Sequence, residues 1–562
     1  MMAKIANRGG QNRLDSAKTA ESNKIIADST NCRKSTKSSA KISNTTSKIF
    51  FIAFCVFVVL YLANMVYRAN FGIIDDHTLL STLHLGTHIA PSIMPEIGRF
   101  FPLNALELNI LSKFFGINAS AFYAFNAFGA LVLICCIYRV LRYFLSVPFV
   151  VGIIVVFLCT PAFITAFLRL FVPEKFESIF FAIFIFSYIY FVKKGSKIAM
   201  LLSLISATIA LYYKEPAFIM LGAFAFFHFI FAFKISNIYN KILDILLCVS
   251  AFVWVVAYYL FVIANKSTSG SYGDTPYNPL IVFVKTLLNY ILTEPFLFIG
   301  VFALVGYRIY LVLYKKENIN ALLDALLLGA ALYSLAYLVL KIYSFHYSLP
   351  AYIFALLPLG YYFHAYFKAK FIKTILFVCV VLYIFNALPS FLYQLNHYKA
   401  VPNNFANTIA FLDKYLSQNP STNIYLEGVN RASGVEVYNS FGKNIAFFGH
   451  KDFDLLSDIG IDNEILGKSD EKSPYSVFRS NAIVEKKSGD LVILTPFNTR
   501  NFDGNKNYEL LFESKVGFNL PMLNIKSILK IITLKLIGDG GEIILASNAF
   551  ALPIHFSVYR VK

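Results

Sequence analysis

The sequence predicts a multi-pass α-helical membrane protein of about 11 spans with a C-terminal soluble α/β or α+β domain, and three observations predict it. Of the 562 residues 57% are apolar and 15% charged, with a mean hydropathy of +0.61, outside soluble composition and inside that of polytopic membrane proteins. Apolar runs of bilayer-crossing length recur from residue 49 to residue 394. After Leu395 they give way to short alternating runs punctuated by Gly, Asn, Asp and Pro.

In chain order, residues 1–47 are rich in Ser, Asn, Lys and Ala, and ten Lys or Arg fall between Lys4 and Lys48. This reads as a disordered basic cytoplasmic tail, too long and polar for the n-region of a signal peptide. Residues 48–395 form the predicted transmembrane domain, with spans at 49–67, 122–138, 147–168, 176–192, 198–212, 217–233, 243–264, 292–313, 321–341, 350–366 and 374–394. Threaded from an inside tail, the inner loops carry Arg139 and Arg142, Lys193 and Lys194, Lys234 and Lys241, Lys315 and Lys316, and Lys368 and Lys370, with Glu317 the one clear acid. That is the positive-inside pattern. It also accounts for the net charge of +18 without nucleic acid, because the charge sits in the tail and short loops.

Residues 396–562 are then an outer-face, periplasmic domain, with a helix over 403–417 and strands beginning at 423, 444, 490, 508, 531, 542 and 556. All seven cysteines except Cys32 lie in apolar runs and none lies in this domain, so a disulfide framework is not expected. Glu427, Arg431, Glu436 and His450 are scattered through it and make no catalytic constellation.

The chemistry concentrates on the outer side. The first outer loop, 68–121, opens with Asp75-Asp76-His77 just past the first span. A carboxylate there suits a general base toward a sugar hydroxyl, and its neighbour suits a cation or the acceptor; a solvated pair at a loop start is the plainer reading. A helix over 77–90 would place His77, His84 and His88 within about 40° of one another. Such a stripe suits a metal or a phosphate, and interfacial helices also carry histidine by chance. A divalent cation at Asp76 and His77 is the one cofactor for which the residues offer a place. Arg99, in Gly98-Arg99-Phe100-Phe101-Pro102, offers a fixed cation for a lipid phosphate, or a pair with Glu96.

Three later outer turns set a cation or His near a Pro where one span hands over to the next: Arg169 to Pro173-Glu174, Lys214-Glu215-Pro216, and Tyr343 to His346-Tyr347 and Pro350. Charges at membrane depth are costly and carry function by default, usually with a partner. The loop holding Tyr272, Gly273, Asp274 and Tyr277 suits a mobile lid or an ordinary hydrophilic connection. No P-loop, Rossmann fingerprint in context or metalloprotease helix is present.

In these motifs the chain resembles the GT-C superfamily of polytopic glycosyltransferases, such as the protein O-mannosyltransferases and lipid A aminoarabinose transferases. The likeness rests on Asp75-Asp76 with His77 behind it, Gly98-Arg99-Phe100, Pro173-Glu174, Lys214-Glu215-Pro216, Tyr347 to Pro350, and the order of many spans before an outer domain. Asp76 stands where the mannosyltransferases carry Glu. The resemblance implies an inverting transfer of a sugar from a polyprenyl-phosphate carrier to a glycan, lipid or protein acceptor at the outer face, with Asp75 as base and Asp76 assisting. Arg99, Arg169, Lys214, Lys341 and His346 are candidates for the departing phosphate, supported by Glu174, Glu215 and Tyr347. Membrane lipids are expected partners, and the implied location is a bacterial inner membrane. The alternatives are an O-antigen polymerase or ligase, whose essential cations sit in a late loop, and a non-enzymatic envelope transporter or scaffold. Spans almost free of polar residues argue against transport.

Overall fold

The computed structural model describes residues 44–84, 86–266, 278–366, 370–427, 437, 440–442, 444, 455–457, 486–496, 507–518, 520–536 and 554–562. The basic tail before residue 44, the loop residues 272–277 and the runs expected as strands at 444 and 542 lie outside these residues, apart from Asn444 itself.

The first helix, α1 (Asn44–Val66), exposes Ile52, Val59 and Leu60 by 63–65%, as a lipid-facing helix does. The first loop holds α2 (Asp75–His84), a hairpin of β1 (Ser92–Met94) and β2 (Arg99–Phe101), and α3 (Leu106–Phe115). There follow α4 (Ala119–Arg142), α5 (Val147–Leu158), α6 (Pro161–Phe167), α7 (Glu174–Lys194), α8 (Lys197–Leu211), α9 (Ala217–Ala232) and α10 (Ile238–Phe261). The second half of the bundle is α11 (Pro279–Thr293), α12 (Phe302–Leu313, entered through a π-turn from Phe296), α13 (Ala321–Leu340), α14 (Leu349–Tyr366) and α15 (Lys370–Gln418).

Among the described residues seven helices are long and apolar enough to cross a membrane, and α5 with α6 forms an eighth candidate bent by 63°. The chain is therefore an integral membrane protein with many spans. The bend follows from sequence: Thr160 caps α6 through the Phe163 N–H, and Pro161 cannot continue α5. Helices α8 and α9 are short, at 15 and 16 residues. Helix α11 is an apolar helix that overlaps the eleven expected segments only at its last two residues.

Helix α15 carries the chain out of the bundle without a break, so the expected boundary at 395/396 falls inside one helix. Its far end presents Val401, Phe405, Ile409, Leu412 and Leu416, spaced for one face, to a five-stranded sheet. The strands β3 (Ile424–Glu427), β4 (Leu455–Ser457), β5 (Leu491–Leu494), β6 (Tyr508–Ser514) and β7 (Phe556–Val561) are ordered β4-β3-β5-β7-β6, parallel in the first three and antiparallel in the last three. The run at 531, expected as a strand, belongs instead to α16 (Ile525–Leu536).

The C-terminal domain is tied to the first loop. Lys399 donates to the carbonyls of Asn64, Met65 and Tyr67, closing the exposed end of α1, and Ile74 N donates to Ser440 Oγ at 2.9 Å.

Candidate active site

Two adjacent carboxylates take opposite environments. Asp76 is buried and accepts from the N–H of Gly72 at 2.7 Å and of Phe171 at 3.4 Å, pinning the first loop to the α6–α7 turn. Burial raises its carboxyl above the usual range, opposed by the Gly72 hydrogen bond and by Arg169 and Lys175. A Cβ at Gly72 would lie 3.0 Å from Asp76 Oδ2, so any larger residue here crowds the carboxylate. Asp75, one residue earlier and at the dipole-positive start of α2, keeps its side chain 34% exposed and is held by Arg169, whose own side chain is 27% exposed.

Arg169 stands where α6 ends, its guanidinium over the ring of Tyr398 on α15 at 5.9 Å. Beneath it the buried Lys175 donates to the Arg169 carbonyl at 3.0 Å and to that of Leu170, satisfying the broken backbone between α6 and α7. Glu107 of α3 lies within electrostatic reach of Lys175, and burial raises its carboxyl.

A second group adjoins the first. Lys214 and Glu174 form a buried ion pair at 3.1 Å, with the ammonium over the rings of Tyr347 and Phe101 at 5.0 and 5.7 Å. Arg99 and Glu215 pair at 2.7 Å, and Glu215 also accepts from Phe100 N at 3.0 Å, which seats the hairpin on the α8–α9 turn. His346 is buried within electrostatic reach of Glu174, Arg169 and Lys214, and its Nδ1 shares a 2.9 Å hydrogen bond with Ser344 Oγ. Burial pushes its imidazole down to about 3, so it is neutral at neutral pH and offers a hydrogen bond, not a fixed charge. Glu177 is buried one turn into α7; its Oε2 accepts from Tyr333 at 3.3 Å, and its Oε1 has no hydrogen-bond partner among the described residues.

The structure thus brings Asp75, Asp76, Arg169, Glu174, Lys214, His346 and Tyr347 into one cluster, with Arg99 and Glu215 at its hairpin edge. Lys341 is the left-handed cap of α13, where its carbonyl accepts from Thr286. The histidine stripe does not form: α2 ends at His84, and His88 lies beyond it in non-helical chain. His77 packs on Phe405 at 4.8 Å, and with His84 lines a cavity of about 150 Å³ between α2 and α15. Among the described residues no group of three or more His, Cys, Asp or Glu gathers to hold a metal, and Asp76 is already committed to backbone N–H groups.

Sequence reasoning gives no site role to Glu107 and Glu177, which it places only among the charges of the outer loops, and does not single out Lys175 or Tyr398. Lys175 and Glu177 did carry a signal, as charges at the head of an otherwise apolar run. Below the cluster an apolar cavity of about 510 Å³ opens between α5, α14 and α15, lined by Phe149, Phe157, Leu356 and Phe363, with Thr160, Tyr352 and His364 as polar members.

No protein-family model matches the chain, and no curated protein matches it in sequence. Solved structures similar to it include two membrane proteins. The Archaeoglobus fulgidus oligosaccharyltransferase, in complex with Zn and sulfate, matches over 78% of this chain and 68% of its own, with 12% identity and a TM-score of 0.43. ArnT from Cupriavidus metallidurans, bound to undecaprenyl phosphate, matches over 79% and 93%, with 11% identity and a TM-score of 0.39.

Proposed function

We propose that the chain is an inverting membrane glycosyltransferase that moves a hexosyl or pentosyl group from a polyprenyl-phosphate carrier to a glycan, lipid or protein acceptor at the outer face. One observation carries the reading: Asp75 is a carboxylate about a third exposed just past the end of a membrane helix, fixed in place by an arginine about a quarter exposed. Such a group is oriented and still reachable, as a general base has to be.

In this reaction the acceptor hydroxyl gives its proton to Asp75 as its oxygen attacks the anomeric carbon. The bond from that carbon to the carrier phosphate breaks, and the phosphate leaves with the electron pair. Arg169 meets the growing negative charge with the part of its guanidinium that remains open, and His346 contributes a neutral hydrogen bond. Lys214 acts at longer range, since Glu174 already compensates it. Asp76 positions Asp75 and takes no proton. The apolar cavity between α5, α14 and α15 suits the hydrocarbon of the carrier. The reading places the protein in a bacterial inner membrane, N-terminus cytoplasmic and outer domain periplasmic.

The test is mass spectrometry of the envelope glycolipids and glycoproteins of the source cell with and without the gene. Loss of one sugar from one glycan, with its polyprenyl-linked form accumulating, is the expected result and identifies the acceptor. Loss of whole repeats points to a polymerase or ligase. An unchanged profile sinks the enzymatic reading and leaves a scaffold or transporter.

A further inference from the structure

Helix α16 belongs to the outer domain, yet it docks on the bundle. Its cap, Asn524, accepts from Ser527 N at 2.8 Å and donates to Ser390 of α15 at 2.6 Å. Its first N–H, of Ile525, donates to Asn386 Oδ1 at 2.8 Å, and the Asn386 amide in turn donates to the Leu292 carbonyl at 2.9 Å. Asn386 and Ser390 lie in the apolar half of α15, among Phe385, Leu388 and Leu392, which are 39–72% exposed. Helix α16 therefore sits beside lipid-facing surface.

Its own pattern fits that position. Ile525, Ile528, Leu529, Ile532 and Leu536 are exposed by 45–82% and recur at the i, i+3, i+4, i+7, i+11 spacing. At 100° per residue they fall within about 100° of arc. Ser527, buried, projects on the opposite side, toward the protein. Lys526 and Lys530 project together on one side of the apolar stripe, about 60° and 100° beyond its edge, with Lys285 of α11 within electrostatic reach of both. The Lys526 ammonium lies over the ring of Tyr343 at 4.3 Å, three residues before His346. Burial, then the two neighbouring lysines, pushes Lys526 down to about 8; nearby anions would relieve that repulsion.

We propose that α16 is an interfacial membrane helix, its apolar stripe seated in the acyl region of the leaflet nearest the site and Lys526, Lys530 and Lys285 gripping anionic lipid phosphates. The outer domain is thereby clamped to the bilayer beside the Tyr343–His346 turn. The clamp is independent of the reaction proposed above.

The test uses the full-length wild-type protein in vesicles of phosphatidylethanolamine and phosphatidylglycerol, photolabelled with a lipid-phase diazirine and mapped by mass spectrometry. Ile528, Leu529, Ile532 and Leu536 are expected to take label at the level of Phe385, several-fold above Leu510, an apolar residue 49% exposed on β6. Labelling at the Leu510 level overturns the proposal, whether water or another protein covers the stripe. Replacing phosphatidylglycerol with phosphatidylcholine should lower labelling of the wild-type helix and leave Lys285→Gln/Lys526→Gln/Lys530→Gln unchanged. Equal wild-type labelling in both lipids overturns the role of the lysines.

Discussion

Arg308 and Arg169 stand at opposite ends of the same helices, and their surroundings differ in one respect that decides what each can do. Helix α13 has Asp324 in its first turn and ends six residues before His346, while α14 begins just after His346 and carries Tyr362 and Tyr366 at its far end. At that far end Arg308, 5% exposed, spends all five donors: Nε and Nη2 on Asp324 at 2.9 and 2.8 Å, Nη1 on Glu317 at 2.7 Å and on Tyr366, and Nη2 again on the Asn318 carbonyl at 3.1 Å. Tyr362 donates to Asp324 as well. A guanidinium so filled is a staple joining α12, α13 and α14. Arg169 holds Asp75 and touches Tyr398, and more than a quarter of its side chain is still exposed. The same residue types make a fastener where every donor is spent and a site where some are left.

The sharpest way to break this contrast is to truncate both arginines. Arg308→Ala strands buried carboxylate charge and is expected to cost about 3–5 kcal/mol, read as a lower unfolding midpoint and less protein in the membrane. Arg169→Ala should cost no more than about 1 kcal/mol, in line with a half-exposed pair, yet lose transfer activity. Equal destabilisation by the two would erase the distinction.

The buried Lys214–Glu174 pair lies between these extremes. Lys214→Met alone is expected to destabilise by about 3 kcal/mol, because Glu174 is left charged and unpaired. Adding Glu174→Gln should restore much of that loss, and a double variant no better than the single one would show that the pair is not the source. Gly72→Ala is expected to cost about 1–3 kcal/mol by forcing Asp76 off the turn. Its marker is a fall in activity alongside the thermal shift, since Asp75 moves with Asp76; activity unchanged beside a thermal shift would separate the two carboxylates.

A separate effect is on pH dependence. The folded chain holds His346 at about 3 against an ordinary 6.5, so between those values the unfolded chain binds a proton that the folded one refuses. This contribution to stability is complete above the ordinary value and is lost as pH falls toward the folded one. His346→Gln should flatten the decline of the thermal midpoint between neutral pH and pH 4, and an unaltered decline would assign it to other groups.

Much of the site was legible in the sequence because its charges stand beside prolines at the ends of apolar runs, where few other residues compete for attention. Arg169, Glu174, Lys214, Glu215 and His346 were all visible in that way, and Asp75 by its place just past the first apolar run. Their pairing was not: that Arg99 takes Glu215, and that Lys214 takes Glu174 rather than its neighbour, depends on how turns 40 to 116 residues apart meet. Tyr398 was hidden because α15 continues far past the membrane run that announced it. Helix α16 was misread because Ile-Ile-Thr-Leu-Lys-Leu-Ile is rich in β-branched residues, while its capping Asn524 and its helical stripe lie partly upstream.

The measurement that bears most directly on the central claim is complementation of a deletion strain with Asp75→Asn, its envelope glycans compared with wild type at matched protein level and matched thermal midpoint. The account predicts a loss of transfer of about 10²–10⁴-fold with the fold intact, because the base is gone while its hydrogen-bonding shape remains. A glycan profile restored fully by Asp75→Asn would contradict it and remove Asp75 from the chemistry.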